Sequence, residues 1–339
     1  MSRTLGKCGA SAALIWLLML PGCAQTDLRS AVPDPQLNRP ESEVGNSAGE
    51  GQISWQSGLY LDHPLSGRIW RSEDQQFLSE PQLMQELGTA SYLLIGEKHD
   101  NPDHHSLELV LLRQLLAAGR VASVAFEMLD TSNVPGLEKI QQDGFGSLTE
   151  LRDGLQWDQE GWDWDFYGPL IAASLEAGVP VAAANIDRAE VSQVYAEPLA
   201  PAIAGVLDQT AIERMNEEID ASHCNMLPPS QFPAMVRVQQ SRDHRMASSL
   251  VATTPGDRLN VLVAGNYHVR RDLGVPRYLQ ALLPDREPGA ILTVALLEVD
   301  PDSTDPADYL QAYSDLLPYD YVWFTPAISN EDYCAGFSR

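Results

Sequence analysis

The sequence predicts an α/β domain, a doubly wound, mainly parallel sheet with an inserted helical cap, and three observations carry that expectation. Six short apolar runs punctuate the chain from residue 92 onward, most of them without polar alternation, as strands buried on both faces of a parallel sheet require. Stretches with helical spacing separate the runs. Ionisable residues gather just after them, where the carboxyl ends of parallel strands bring side chains to one edge.

Taken in order, the chain begins with an address. Arg3 and Lys7 precede an apolar stretch over 12–20 that is too short for a stable bilayer span. Leu20-Pro21-Gly22-Cys23 then reads as a lipobox, so residues 1–22 are expected to be a lipoprotein signal peptide and Cys23 the acylated first residue. Pro21 departs from the small residue usual at its place, and an ordinary secretory peptide cut nearby is the alternative. Ala24 and Gln25, with no Asp beside the cysteine, point to a lipid-anchored protein of the outer membrane in the cell envelope. Residues 23–52 are rich in Pro, Ser, Gly and Asn and cannot bury a core; they read as a tether with a random-coil span of ~30 Å.

Charge and cysteine usage narrow the partners. Loss of the leader removes Arg3 and Lys7 and takes the formal charge from −25 to −27. Such a body does not bind nucleic acid or anionic lipid by bulk electrostatics. Membrane attachment therefore falls to the acyl chains, at ~0.8 kcal/mol per buried methylene. With Cys8 in the leader and Cys23 acylated, Cys224 and Cys334 remain for an oxidising compartment and read as one disulfide. In the loop-entropy model a bridge of that span contributes ~4–5 kcal/mol. A thiolate pair on a metal or haem is the alternative, but the two lack any short ligand spacing.

The domain, expected over 53–339, follows with strands at 92–95, 121–126, 179–184, 259–264, 291–297 and 320–325. Asn101-Pro102-Asp103 opens the helix after the first strand. Trp157, Trp162, Trp164, Phe166 and Tyr167 read as a packed aromatic elbow. The longer excursion at about 187–254 reads as the cap, with one helix over 233–251 carrying Met235, Val238, Arg242, Met246 and Leu250 at helical spacing. Glu97 and His99, Glu127, Asn185 and His268 follow the first four strands and are expected to meet at one edge. Two imidazoles and two carboxylates suit a divalent metal or acid–base work, so a metal-dependent hydrolase using Glu97, His99, Glu127 and His268 is one functional reading.

The same residues carry a family resemblance. IGEKHDNPDHH, then FEM, W(x)4WDW, AANIxR, HCxMLP, MV(x)2Q(x)2RD(x)2MA, VAGNYHV(x)4GVP and YVWFTP(x)6YC occur in that order over roughly 55–339. Together they resemble the ChaN family of haem-binding lipoproteins, distantly similar to erythromycin-esterase and TraB/Tiki-type hydrolases. The resemblance implies haem binding in iron acquisition, with two haems stacked at a homodimer interface and an outer-membrane haem receptor as a further partner. It also implies a tyrosine on the iron and His and Lys on the propionates. Tyr195, alone in the cap, is the first candidate for that tyrosine, followed by Tyr167 and Tyr267. His223 is the candidate imidazole, and Lys98, Arg188, Arg270 and Arg271 are the available cations.

Overall fold

The computed structural model describes residues 54–310 and 316–335. The expected leader, the expected acylation position Cys23 and the expected tether lie outside the described residues. Among the described residues eight strands form one sheet. Two short ones, β1 (Ile69–Arg71) and β2 (Gln76–Leu78), make an antiparallel hairpin before α1 (Glu80–Leu87). The six expected strands then appear as β3 (Tyr92–Glu97), β4 (Val121–Asp130), β5 (Val181–Asn185), β6 (Leu259–Gly265), β7 (Ile291–Glu298) and β8 (Tyr321–Thr325). The spatial order is β2-β1-β8-β7-β3-β6-β4-β5. All six long strands run parallel, and the hairpin joins antiparallel to β8.

The helices cover both faces, which is why the strands read as continuous apolar runs. On one face pack α1, α2 (Pro102–Ala117), α3 (Val134–Asp143), α4 (Leu148–Leu155) and α5 (Trp164–Glu176), around Leu93, Ile95, Phe126 and Val261. The other core gathers Leu94, Ala125, Leu262 and Ala264. It is closed by the inserted helices α6 (Arg188–Ala196), α7 (Pro201–Ala204), α8 (Gln209–Ser222) and α9 (Phe232–Val251), and by α10 (Val275–Leu282). The last inserted helix does more than cap. Val236, Met246, Ala247 and Leu250 of α9 are buried in that core, and α9 lies against β4, β5 and β6.

Local sequence sets the elements that frame the functional edge. Asn101 caps α2 by accepting from the Asp103 and His104 amides, with Pro102 in the first turn, where its missing N–H costs nothing. Asp187 caps α6 in a capping box with Glu190. The aromatic elbow forms as expected: Trp157 meets Trp164 edge-on, with ring centroids 5.0 Å apart, and its Nε1 donates to Trp162 O at 2.9 Å. Cys224 and Cys334, 110 residues apart, are joined by a disulfide.

Candidate functional site

Parallel register brings the strand ends together. Pairing aligns Glu97 of β3 with Gly265 of β6, and Phe126 of β4 with Val263 of β6. Glu97, Glu127 and the two Gly-x-x-His turns therefore emerge side by side. The close fit depends on glycine. A Cβ on Gly265 would stand 3.0 Å from both Cε1 and Nε2 of His99, and one on Gly96 would strike the Val269 side chain.

Two imidazole–carboxylate clusters result. In the first, His99 Nδ1 lies 2.5 Å from Glu97 Oε1, and the Tyr167 hydroxyl on α5 donates to the same oxygen at 3.1 Å. Glu97 is buried, and desolvation raises its carboxyl above the ordinary range. Burial opposes the His99 cation, yet the hydrogen bond and charge of Glu97, with Glu127 behind it, lift His99 to about 9. Nε2 of His99 has no hydrogen-bond partner among the described residues.

In the second cluster, His268 is held at both nitrogens. Its Nδ1 donates to Asp243 Oδ1 at 2.6 Å, and its Nε2 pairs with Glu127 Oε1 at 3.3 Å. Glu127 Oε2 also accepts the Gly265 amide at 2.8 Å. Burial disfavours the His268 cation, but the two carboxylates prevail and raise it to about 10. Burial alone would raise Glu127; the charge and hydrogen bond of His268 instead hold it well below the usual carboxylate range. Asp243 is raised, because desolvation outweighs its share of the same cation.

A buried layer supports the loop between β3 and α2. The Lys98 amide donates to His104 Nδ1 at 2.8 Å, so the ring proton sits on Nε2, which donates to Thr325 Oγ1 at 2.9 Å. His105 Nε2 donates to the His99 carbonyl at 3.1 Å, and its ring stacks on Phe166 with centroids 4.4 Å apart. Its Nδ1 lies 3.0 Å from Glu108 Oε2. Desolvation lowers His105 and raises Glu108, so burial favours the neutral form of each.

Beside these clusters lies a cavity of about 500 Å³. Glu97, His99 and His268 line it, with Lys98 and Glu298 on one wall and Glu218, Ile219 and Ser222 of α8 on another. Lys98 Nζ pairs with Glu298 at 2.9 Å and Asp100 at 3.4 Å. The arrangement can pass a proton through His99 or hold a polar group against its open nitrogen. It is a poor metal cage, because His268 uses both nitrogens on carboxylates and His99 uses one. Among the described residues no group of three or more His, Cys, Asp or Glu side chains is placed to hold a metal ion, so the divalent-metal reading finds no support.

The remaining sequence candidates scatter. Tyr167 is sealed in the core on Glu97. Tyr267 lines the cavity but its hydroxyl is buried, and desolvation pushes it well above the ordinary phenol. Tyr195 on α6 is 38% exposed. His223 ends α8 and donates from Nδ1 to Ile219 O at 2.6 Å, which leaves its lone pair on Nε2. Arg188 is exposed at the start of α6. Arg270 and Arg271 are paired with Asp272 and Asp320. Asn185 donates to the Glu127 backbone carbonyl at 3.0 Å and so positions that carboxylate's strand.

Sequence reasoning did not assign Asp243, Glu108 or Tyr333. The first two sit on the buried faces of α9 and α2, and a charged residue at the spacing of an apolar stripe was the available signal. Tyr333, 63% exposed, donates to Asp100 Oδ2 at 3.3 Å, and its place beside Cys334 was the clue.

Residues 83–279, more than half of the chain, match the protein family described as haem-binding uptake, Tiki superfamily, ChaN. Among solved structures, one described as cofacial heme binding to ChaN of Campylobacter jejuni is 25% identical, covers 75% of this chain and 95% of its own, and superposes with a TM-score of 0.61. An erythromycin esterase variant in its open conformation is 12% identical over 79% of this chain and 99% of its own, with a TM-score of 0.42. No curated protein sequence matches the chain.

Proposed function

The chain belongs to the ChaN family of haem-binding uptake proteins in the Tiki superfamily, and from that premise we propose that it binds haem between two copies of itself, as a lipid-anchored envelope protein serving iron acquisition. The likeness to a ChaN described with cofacial haem, over nearly all of that chain, carries the reading. The composition of the cavity rim supports it. Ferric haem iron favours a phenolate, and propionates need cations.

Among the described residues two tyrosines, Tyr195 and Tyr333, are exposed. Tyr195 is the one favoured by its place in the inserted helices. Tyr333 is the one favoured by the rim, since it stands beside Lys98, and the disulfide sets it near His223. Lys98, His223 and Arg188 are the side chains for propionates. Apolar Leu296, Leu297 and Ile219 in the cavity wall suit the face of a macrocycle.

Haemin titration of the purified domain tests the reading. A saturable Soret band at micromolar haem is expected, weakened in whichever of Tyr195→Phe and Tyr333→Phe removes the ligand. No saturable spectral change would overturn it.

A further inference from the structure

We propose that the Cys224–Cys334 disulfide is a redox latch at the rim of the cavity: bonded, it ties the segment beyond β8 to the turn that ends α8, and reduced, it lets the two part and widens the way to His99. The two halves of the bond belong to opposite walls. Cys224 lies two residues beyond Ser222, which lines the cavity from α8. Cys334 ends a segment that leaves β8 over the other wall, where the Ile328 amide donates to Glu298 Oε1 at 3.1 Å and Tyr333 to Asp100 Oδ2 at 3.3 Å. Glu298 and Lys98 beneath it are cavity lining.

Little else holds the segment beyond β8. From residue 330 to 335 only Cys334 is less than exposed. Beyond Ile328 its described hydrogen bonds to the rest of the protein reduce to that of Tyr333. On the other side, Ser222, His223, Asn225 and Met226 are exposed, so the turn at 222–226 has little burial of its own between Ile219 and Leu227, which pack on the core to either side of it. Cys224 and Asn225 also hold left-handed backbone, with φ of 59° and 55°. Asn tolerates that conformation and Cys does not favour it, so at Cys224 the disulfide and the turn's backbone hydrogen bonds together hold the backbone there.

The chemistry is thiol–disulfide exchange. A dithiol supplies two electrons and two protons, leaves as its own disulfide, and converts the bond into two thiols; a disulfide-bearing oxidant reverses the step. The latch rests on the cavity walls and needs no particular occupant.

The test compares the full oxidised chain with the same chain treated with a dithiol, and with Cys334→Ser. Carbethoxylation of His99 and peptide hydrogen exchange are read by mass spectrometry. His99 reports the cavity, and buried His268 is the control. We expect several-fold faster His99 modification and faster exchange confined to 222–226 and 329–335 in both opened forms. An unchanged His99 rate, with both thiols titratable, overturns the latch. So does exchange that accelerates throughout β3 and β6, which would make the bond a general staple. A Cys334→Ser chain that behaves like the oxidised protein overturns it as well.

Discussion

His268 shows how a single side chain ties the site to stability. Its imidazolium is clamped between Asp243 and Glu127, and its folded value of about 10 lies above the ordinary 6.5. A raised imidazole stabilises the fold fully below the unfolded value, and that contribution is lost as pH rises through the folded one. The melting temperature of wild type should therefore decline between pH 6.5 and about 10 more steeply than that of His268→Gln. The variant itself should lose ~3–5 kcal/mol near neutrality, because two buried carboxylates are left without their cation. Thermal melts across that range decide it; parallel pH slopes would remove His268 as the source. Glu97 and His99 follow the same logic more weakly, since the His99 side chain is 44% exposed and solvent screens the pair.

At the scale of the element, Asn101 joins a helix start to a strand end. Its Oδ1 caps α2, while its Nδ2 donates to Glu298 Oε1 at 2.7 Å. Asn101→Ala should cost ~0.5–2 kcal/mol in urea unfolding through the lost cap. It should also loosen Glu298, which anchors both Lys98 and the segment beyond β8. Asn101→Asp keeps a capping oxygen but sets a carboxylate against Glu298. That variant should be weaker near neutral pH than in mild acid, whereas Asn101→Ala should show no such recovery. Equal pH behaviour of the two variants would count against the Asn101–Glu298 contact.

For the whole molecule, haem and self-association are expected to be coupled. A flat macrocycle has two apolar faces, and the wall of one cavity covers one of them. Pairing two loaded copies lets each haem shield the other, so haem should favour the dimer and the dimer should tighten haem by the same factor. The acidic chain, at a formal −25, opposes association of the unloaded protein, and added salt should ease it by screening. Sedimentation with and without haemin checks this. A mass unaltered by haem would end the coupling, and normal haem-driven pairing of Tyr195→Phe and Tyr333→Phe would exclude both phenols.

Much of the molecule was legible in the chain itself. Unbroken apolar runs such as 259–264 mark strands covered on both faces, and Asn101-Pro102-Asp103 marks a helix start, because each depends on neighbouring residues alone. The polar residues just after the runs announced an edge site for the same reason. Spatial order and pairing register were not legible, since they arise from contacts between distant segments. Only the fold decided that β6 would lie between β3 and β4, and so set Gly265 beside Glu97 and Glu127. It also turned Asp243 of α9 onto His268, committing that imidazole to carboxylates rather than to a metal. It sealed Tyr167 in the core and left Tyr195 and Tyr333 accessible, because exposure is set by what packs over a side chain and not by its own position in the sequence.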